Sequence, residues 1–204
     1  MTSPPPCPTG RQDPEAGGGR LVVISGPSGV GKTTICNALL TQHLFQRVVT
    51  ATSRPPRPGE RDGVDYHFLT EGAFEEGLRL GKFLEHARVH GNLYGTPRRE
   101  VEEGLKAGKQ VLLNIDVQGA RQIREAARGP SPLPLVLIFI APPTWEELER
   151  RLGSRGTESP EAAHRRLETA RREMDERSSY DHLVVNDEVP LAVQRILVAL
   201  GLTK

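Results

Sequence analysis

A glycine-rich segment near the start of the chain matches the pattern of a phosphate-binding loop. The segment Gly26-Pro27-Ser28-Gly29-Val30-Gly31-Lys32-Thr33 satisfies G-x-x-x-x-G-K-[ST], and it follows the apolar run at residues 21–24. Glycine lets successive backbone N–H groups turn toward phosphate oxygens, and the helix that follows adds the positive end of its dipole. We therefore expect this segment to bind a nucleoside triphosphate. A chance glycine-rich turn is the alternative, but a strand before it and a helical pattern after it argue against chance.

Two side chains at the end of this loop have distinct expected roles. Lys32 is expected to reach the β- and γ-phosphates, and the hydroxyl of Thr33 to hold Mg²⁺. Thr34 is grouped with the nucleotide-binding residues, but it suits the metal less well because the pattern places the metal ligand directly after the lysine.

A second candidate phosphate site lies in the segment Arg54-Pro55-Pro56-Arg57-Pro58. Guanidinium groups match phosphate oxygens in geometry and charge, and the prolines reduce the entropy lost when the loop is held in place. A solvated basic turn is the alternative interpretation. Because an enzyme that binds two phosphate groups on two molecules is most simply a phosphoryl transferase, the two motifs together favour that class.

The elements that must position these motifs alternate along the chain, which predicts an α/β fold with a parallel sheet covered by helices on both faces. Segments rich in apolar residues predict buried strands at residues 21–24, 110–115, 135–140 and 182–185, with a short strand at 47–51. Helices are predicted at residues 34–44, 97–107, 118–128, 145–152, 160–177 and 190–200. Thr96 before Pro97 is expected to cap one helix, and Thr144 to open a capping box.

The segment from residue 50 to 94 differs from this alternation and predicts an inserted lobe. Short strands are expected at residues 66–69 and 82–87, around a helix that begins near Glu71. The first 19 residues, rich in proline and glycine, lack apolar periodicity and predict a disordered tail.

Composition limits the classes of partner. The formal net charge of the 204-residue chain is +1, with 27 basic and 26 acidic residues, so a nucleic acid or an anionic membrane is not an expected partner. No apolar run approaches the roughly 20 residues that span a bilayer. The two cysteines, Cys7 and Cys36, do not have the spacing of metal ligands, and a reducing, cytoplasmic location is expected. Oligomeric state is left open.

Beyond the two phosphate motifs, the chain resembles the guanylate kinase family over most of residues 20–187. The resemblance depends on ordered segments: the phosphate loop, Thr52-Ser53-Arg54-Pro55-Pro56-Arg57-Pro58-Gly59-Glu60, Asp65-Tyr66-His67-Phe68, Phe83-Leu84-Glu85-His86-Ala87, Gly91-Asn92-Leu93-Tyr94-Gly95-Thr96, Ile115-Asp116-Val117-Gln118-Gly119 and Arg155-Gly156-Thr157-Glu158. It implies a P-loop core at residues 20–49, 97–141 and 178–204, a GMP-binding lobe at 50–96 and a helical lid at 142–177. Residues 188–204 are then a C-terminal core helix.

The resemblance implies transfer of a phosphoryl group from ATP to GMP or dGMP, giving ADP and GDP, with Mg²⁺. It assigns the guanine and GMP phosphate contacts to a set of residues in the lobe and at one edge of the core sheet: Thr50, Arg54, Arg57, Tyr66, Glu85, Tyr94, Thr96 and Asp116. Chemistry supports Glu85, because one carboxylate can accept hydrogen bonds from both N1–H and N2–H₂ of guanine, and adenine lacks that pair of donors. Glu85 as an ordinary solvated strand residue is the alternative.

The resemblance also assigns the ATP side. Arg151 and Asn186 are expected at the ATP site with residues 26–34, while Lys32, Arg57, Arg155 and Arg166 are expected to stabilise the transferring phosphoryl group. Asp116 is expected to approach Mg²⁺ through water or to reach the nucleotide, although a carboxylate there also suits a helix cap.

Two other functions are weighed against this one. A guanylate-kinase-like binding module without catalysis would not need an intact loop lysine or lid arginines, and both are present in Lys32, Arg155 and Arg166. A kinase for another small phosphorylated acceptor, such as a ribose phosphate, would not need Thr50, Glu85 and Thr96.

Overall fold

A parallel sheet forms the core of the molecule, which the computed structural model describes for residues 18–89, 91–153 and 160–203. Its strands are β1 (Arg20–Ser25), β2 (Phe45–Arg47), β7 (Gln110–Asn114), β8 (Leu135–Ala141) and β9 (His182–Val185), in the order β2-β7-β1-β8-β9. Each neighbouring pair is parallel, and β1 is central. The predicted α/β class and parallel core are confirmed.

Helices cover both faces of this sheet, as its apolar strands require. They are α1 (Lys32–Leu40), α3 (Arg98–Lys106), α4 (Val117–Ala127), α5 (Trp145–Gly153), α6 (Pro160–Asp175) and α7 (Val189–Ala199), with a short 3₁₀ helix at Glu176–Ser179. Val22 and Ile24 of β1 pack with residues of α1, α5 and α7, whereas Leu21 and Val23 pack with residues of α3 and α4. Cys36 of α1 is a free, buried thiol in the first of these clusters.

A second sheet forms the predicted lobe, which is inserted between β2 and α3. It contains β3 (Ala51–Thr52), β4 (His67–Phe68), β5 (Phe83–Val89) and β6 (Asn92–Pro97) in the order β4-β3-β6-β5, with α2 (Glu71–Arg79) between β4 and β5. Its small core centres on Phe74, whose ring stacks on Phe83 with centroids 4.4 Å apart. β5 is an edge strand of this sheet.

The single strand predicted at residues 47–51 is wrong. The chain leaves the core sheet after Arg47 and enters the lobe sheet at Ala51, so the apolar residues between them connect two sheets. Val48 is buried at this connection with only 4% exposure, which explains why the segment has the composition of a strand. The lobe strand at Asn92–Pro97 was not predicted, because glycine and proline within it weaken the strand pattern.

Thr96 does not cap α3. That helix begins at Arg98, with Pro97 at the N-cap position and no side-chain cap, and the Thr96 hydroxyl bonds to Glu85 instead. The helix predicted at residues 34–44 spans Lys32–Leu40, and the one predicted to reach residue 177 ends at Asp175. Thr144 does accept the N–H of Glu147 at 3.2 Å, which confirms one half of its capping box.

Two expectations fall wholly or partly outside the described residues. The predicted tail at residues 1–19 is described only from residue 18, and Arg155 with the rest of residues 154–159 is not described. Within the described part of the chain, none of the helices is both long enough and apolar enough to cross a bilayer.

Candidate active site

The phosphate loop connects β1 to α1 at the carboxyl end of the parallel sheet, where such folds bind their ligands. Gly31 has φ of 96°, and a Cβ added there would lie 2.4 Å from Nδ2 of Asn186. Both observations exclude larger residues at this position. Lys32 Nζ donates to the carbonyls of Gly26 at 2.6 Å and Pro27 at 2.9 Å, so the loop closes around its own lysine.

Burial and nearby carboxylates have opposite effects on the pKa of Lys32. Burial lowers the pKa of its ammonium group, while the carboxylates of Glu173 and Asp116 oppose that shift. Glu173 belongs to α6 and accepts the N–H of Ser28 at 3.4 Å. Sequence reasoning missed Glu173, since nothing in the local pattern of α6 separates it from the other acidic residues of that helix.

Two of the expected ATP-binding residues support the loop from its protein side. Asn186 is 4% exposed and donates through Nδ2 to the carbonyl of Val30 at 2.7 Å. Arg151 donates to the same carbonyl at 3.4 Å and to the carbonyl of Asn186 at 3.2 Å, while Glu147 accepts from its Nε at 2.7 Å. The contacts show a role in holding the loop, and direct contact of either side chain with ATP stays a prediction.

Removal of the Asn186 amide tests this support. In Asn186→Ala the buried carbonyl of Val30 loses its shorter hydrogen bond, so we expect the free energy of unfolding to fall by about 1 to 2 kcal/mol. The KM for ATP is expected to rise while the KM for GMP changes little. Urea denaturation and initial rates measure both, with Gln194→Ala at an exposed position of α7 as the control. Equal stability of the two variants would contradict the prediction.

Thr33, the expected metal ligand, lines a cavity of about 290 Å³. Thr33, Thr50, Tyr66 and Asn114 are among its lining residues, so the loop and the lobe meet there. Asn114 ends β7 and donates through Nδ2 to the Thr33 hydroxyl at 3.3 Å, which leaves one oxygen lone pair on that hydroxyl for a cation. An oxygen ligand beside bound phosphates suits Mg²⁺.

No cluster of three or more His, Cys, Asp or Glu side chains is arranged to bind a metal within the described ranges. A metal ion at Thr33 would take phosphate oxygens and water molecules as its other ligands, which is how Mg²⁺ usually binds in nucleotide sites. The donor set fits Mg²⁺ on these terms.

The predicted anion clamp is organised around Arg54. Its guanidinium donates to Glu60 at 2.9 Å and to the carbonyl of Pro55 at 2.7 Å, and it lies 5.6 Å from the centre of the Tyr66 ring. Tyr66 meets Tyr94 edge to face at 6.1 Å, and the Tyr94 phenol is close enough to Arg54 to raise the pKa of that guanidinium, after the larger effect of Glu60. The structure brings these three predicted GMP phosphate ligands together.

Glu60 is a residue whose role sequence reasoning did not assign. Its second carboxylate oxygen accepts the backbone N–H of Arg57 at 2.6 Å, so one side chain holds both arginine positions of the loop. These contacts lower the pKa of Glu60, with Arg54 as the main cause. An acidic residue three positions after Arg57 was the available signal. The side chain of Arg57 itself is exposed.

The candidate guanine site contains a buried carboxylate. Glu85 of β5 is 7% exposed, and its Oε1 accepts the Thr96 hydroxyl at 2.7 Å. Burial raises the pKa of Glu85, and the Thr96 hydroxyl partly opposes that shift. Because the Thr96 hydroxyl uses only one of the acceptor positions of this carboxylate, others remain for a ligand that brings its own donors.

The first turn of α4 lies against this carboxylate. Asp116 is the N-cap of α4, and its Oδ1 accepts the N–H of Gly119 at 2.8 Å. A Cβ added to Gly119 would lie 3.2 Å from Oε2 of Glu85, so the absence of a side chain allows the close approach. The helix-cap interpretation of Asp116 is confirmed, while its predicted contacts with Mg²⁺ and GMP stay predictions.

The lid is described in part. Arg166 lies on α6 and is half-buried, and Gly153 is the last residue of α5. Arg155, the other arginine expected at the transferring phosphoryl group, lies outside the described residues. The catalytic roles of both arginines stay predictions.

Comparisons with known proteins agree with this geometry. Residues 18–200 match the family model described as guanylate kinase. A guanylate kinase of Clostridium perfringens strain SM101 is 50% identical over 180 residues, which cover 87% of this chain and 81% of that protein. One from Frankia casuarinae is 50% identical over 178 residues, covering 87% of this chain and 94% of that protein. The crystal structure of guanylate kinase from Anaplasma phagocytophilum superposes with a TM-score of 0.69 at 34% identity, covering 91% of this chain and 86% of that one.

Proposed function

Because the chain belongs to the guanylate kinase family, it is a kinase that phosphorylates GMP, and we propose that the residues described above perform this transfer from ATP with Mg²⁺. Acceptance of dGMP and a cytoplasmic location are part of the proposal. The two alternatives weighed from the sequence, a non-catalytic binding module and a kinase for another acceptor, are not favoured by relatives at this identity.

The main support for guanine as the base of the acceptor is the buried Glu85 carboxylate, which lies beside Thr96 and the first turn of α4. Guanine brings two adjacent donors, N1–H and N2–H₂, to one edge, and these match a carboxylate acceptor. Adenine has no such pair, so it would leave the buried charge without a partner, which is costly.

The main role proposed for the protein is to orient the phosphates of ATP and the phosphate of GMP relative to each other. The N–H groups of the phosphate loop and Lys32 would hold the ATP phosphates, and Arg54, Arg57, Tyr66 and Tyr94 would hold the GMP phosphate. The attacking GMP oxygen is already ionised near neutral pH, so no general base is required. Positioning and charge neutralisation then supply the rate enhancement.

Charge at the transferring group is assigned to Lys32, Arg57, Arg155 and Arg166. A loose transition state spreads negative charge over the phosphoryl oxygens, which cationic side chains stabilise. When bound at Thr33, Mg²⁺ supplies further neutralisation of the β- and γ-phosphate oxygens. Closure of the lid segment would exclude water, the competing acceptor.

The proposed function is tested by ADP release with GMP, dGMP, AMP, UMP or no acceptor, each with and without Mg²⁺. Rapid release that requires Mg²⁺ and either GMP or dGMP is the expected result. Release that does not depend on an acceptor, or equal rates with GMP and AMP, would refute the proposal.

The pKa of Glu85 predicts how guanine binding depends on pH. The ionised carboxylate accepts both guanine donors, and burial raises its pKa above the ordinary value of 4.5, so affinity is expected to rise as pH increases through the raised pKa. Guanosine is the suitable ligand, since it has no phosphate to titrate, and calorimetry measures its dissociation constant. The contribution of Glu85 to the free energy of unfolding is expected to fall as pH increases from 4.5 through the raised pKa, because the ionised carboxylate is disfavoured in the folded chain. A guanosine affinity independent of pH above 4.5 would count against Glu85.

A further inference from the structure

Gln122 of α4 makes a double contact with the backbone of β5. Its Oε1 accepts the N–H of His86 at 3.1 Å, and its Nε2 donates to the carbonyl of the same residue at 2.9 Å. α4 covers the core sheet, whereas β5 belongs to the lobe. The Gln122 side chain therefore links the core to the lobe by two hydrogen bonds, at His86, the residue that follows Glu85.

The edge position of β5 explains why an amide suits this contact. In the sheet order β4-β3-β6-β5, only one side of β5 faces another strand. On the other side, the N–H of His86 needs an acceptor and its carbonyl needs a donor, at matching spacing. A carboxamide offers both in one plane, as a neighbouring strand would, whereas a carboxylate offers two acceptors.

The contact is one helical turn away from the guanine site. Gln122 follows Gly119 by three residues, and Gly119 is the point where the first turn of α4 approaches Oε2 of Glu85. The first turn thus meets the side chain of Glu85, and the next turn is bonded to the backbone beside it. The N-terminal end of the helix dipole favours the negative charge at that place.

We propose that Gln122 is a positioning residue for guanine recognition, which keeps the Glu85 carboxylate at the first turn of α4 by bonding to His86. The inference depends on the proposed function. Without the amide, Leu84 of β5 still packs in the buried cluster that contains Ala120 and Ile123 of α4, so the two elements stay in contact. The backbone beside Glu85 is no longer fixed to α4, however, and the carboxylate no longer meets N1–H and N2–H₂ together. The phosphate loop lies on other elements, so ATP binding does not depend on this contact.

Steady-state kinetics of Gln122→Ala test the proposal, with the wild-type chain measured first. We expect the KM for GMP to rise roughly ten- to a hundredfold, because the loss of a well-aligned hydrogen bond to a charged group weakens binding by about that factor, while kcat and the KM for ATP change less than about twofold. Glu125→Ala, a truncation at an exposed position of the same helix, is the matched control and is expected to behave as wild type. An inactive wild-type chain would refute the proposed function. An active wild type with an unchanged GMP KM in Gln122→Ala would refute only the role of Gln122.

Gln122→Glu separates this role from general packing, because its shape is the same. One of its oxygens still accepts the N–H of His86, but the other faces the carbonyl of His86 without a proton to donate. We expect the KM for GMP to rise at neutral pH and to fall back toward the wild-type value, relative to Gln122→Ala, as the carboxyl group is protonated at lower pH. The groups whose charge also bears on this profile are the phosphate of GMP and the charged side chains around the contact: Glu85, Asp116, Arg121, the His86 ring, and Arg172, Glu173 and Glu176, which line the same surface pocket as Gln122.

Amide hydrogen exchange provides a readout that needs no activity. The N–H of His86 is expected to exchange faster in Gln122→Ala than in the wild type, with the N–H groups of the core strand β1 unchanged. Unchanged protection at His86, or a Gln122→Glu variant with the wild-type KM for GMP at neutral pH, would overturn the proposal.

Discussion

Replacement of Glu85 by glutamine is expected to lower the preference for GMP over AMP, measured as the ratio of kcat/KM values, by roughly 10⁴-fold. In the structure Oε1 of Glu85 accepts the Thr96 hydroxyl, so the amide oxygen of glutamine would keep that place. The amide NH₂ would then occupy the position of Oε2 and face the donors of guanine. A donor facing a donor leaves both groups unsatisfied in a buried site, which explains the size of the expected loss.

A coupled assay with both acceptors measures this ratio, and binding of GMP by calorimetry separates affinity from turnover. Glu75→Gln is the matched control, because it makes the same chemical change on an exposed lobe residue. We expect the KM for ATP to stay near its wild-type value in both variants. If Glu85→Gln kept the wild-type preference for GMP, the assignment of Glu85 to guanine would be wrong.

Replacement of Lys32 by methionine is expected to lower kcat by roughly 10²- to 10³-fold, as the loss of one fixed charge-stabilising donor does in other enzymes. Methionine fills a similar volume without charge, so the loop can keep its shape around the side chain. The bonds from Nζ to the carbonyls of Gly26 and Pro27 are lost as well, and some rise in the KM for ATP is expected. Single-turnover kinetics at saturating ATP isolate the chemical step.

Lys82→Met, at an exposed lysine of the lobe, controls for the change in net charge. A drop in kcat of similar size in both variants would point to a general effect of charge and remove Lys32 from the catalytic assignment. Thermal unfolding of the two variants shows whether either loss reflects instability.

The centre of the core sheet was predictable because β1, β7 and β8 are buried on both faces over most of their length. Segments rich in apolar residues, such as 110–115 and 135–140, can be identified as buried strands from the sequence alone. The strands observed there are Gln110–Asn114 and Leu135–Ala141. The lobe was predicted less well. Its strands are short and partly exposed, and the true boundary between the sheets lies inside an apolar segment that looked like one strand.

The candidate site divides in the same way. The phosphate loop is recognised from consecutive residues, and Arg54 and Arg57 from a short loop. Glu85 was assigned through family resemblance, since an acidic residue in a strand is usually solvated. Glu60, Glu173 and Gln122 act through neighbours distant along the chain or through the backbone, and no spacing rule shows which carbonyl or N–H group a side chain will meet.

The buried thiol of Cys36 affects how distances within this protein can be measured with fluorescent labels. Burial raises the pKa of Cys36 to about 12, so the group stays protonated and shielded from maleimide dyes at neutral pH. Cys7, the other cysteine of the sequence, would be replaced before two new cysteines are introduced, one at an exposed position of the lobe and one at an exposed position of α6. Paired fluorophores at such positions would report the distance between them as each nucleotide is added.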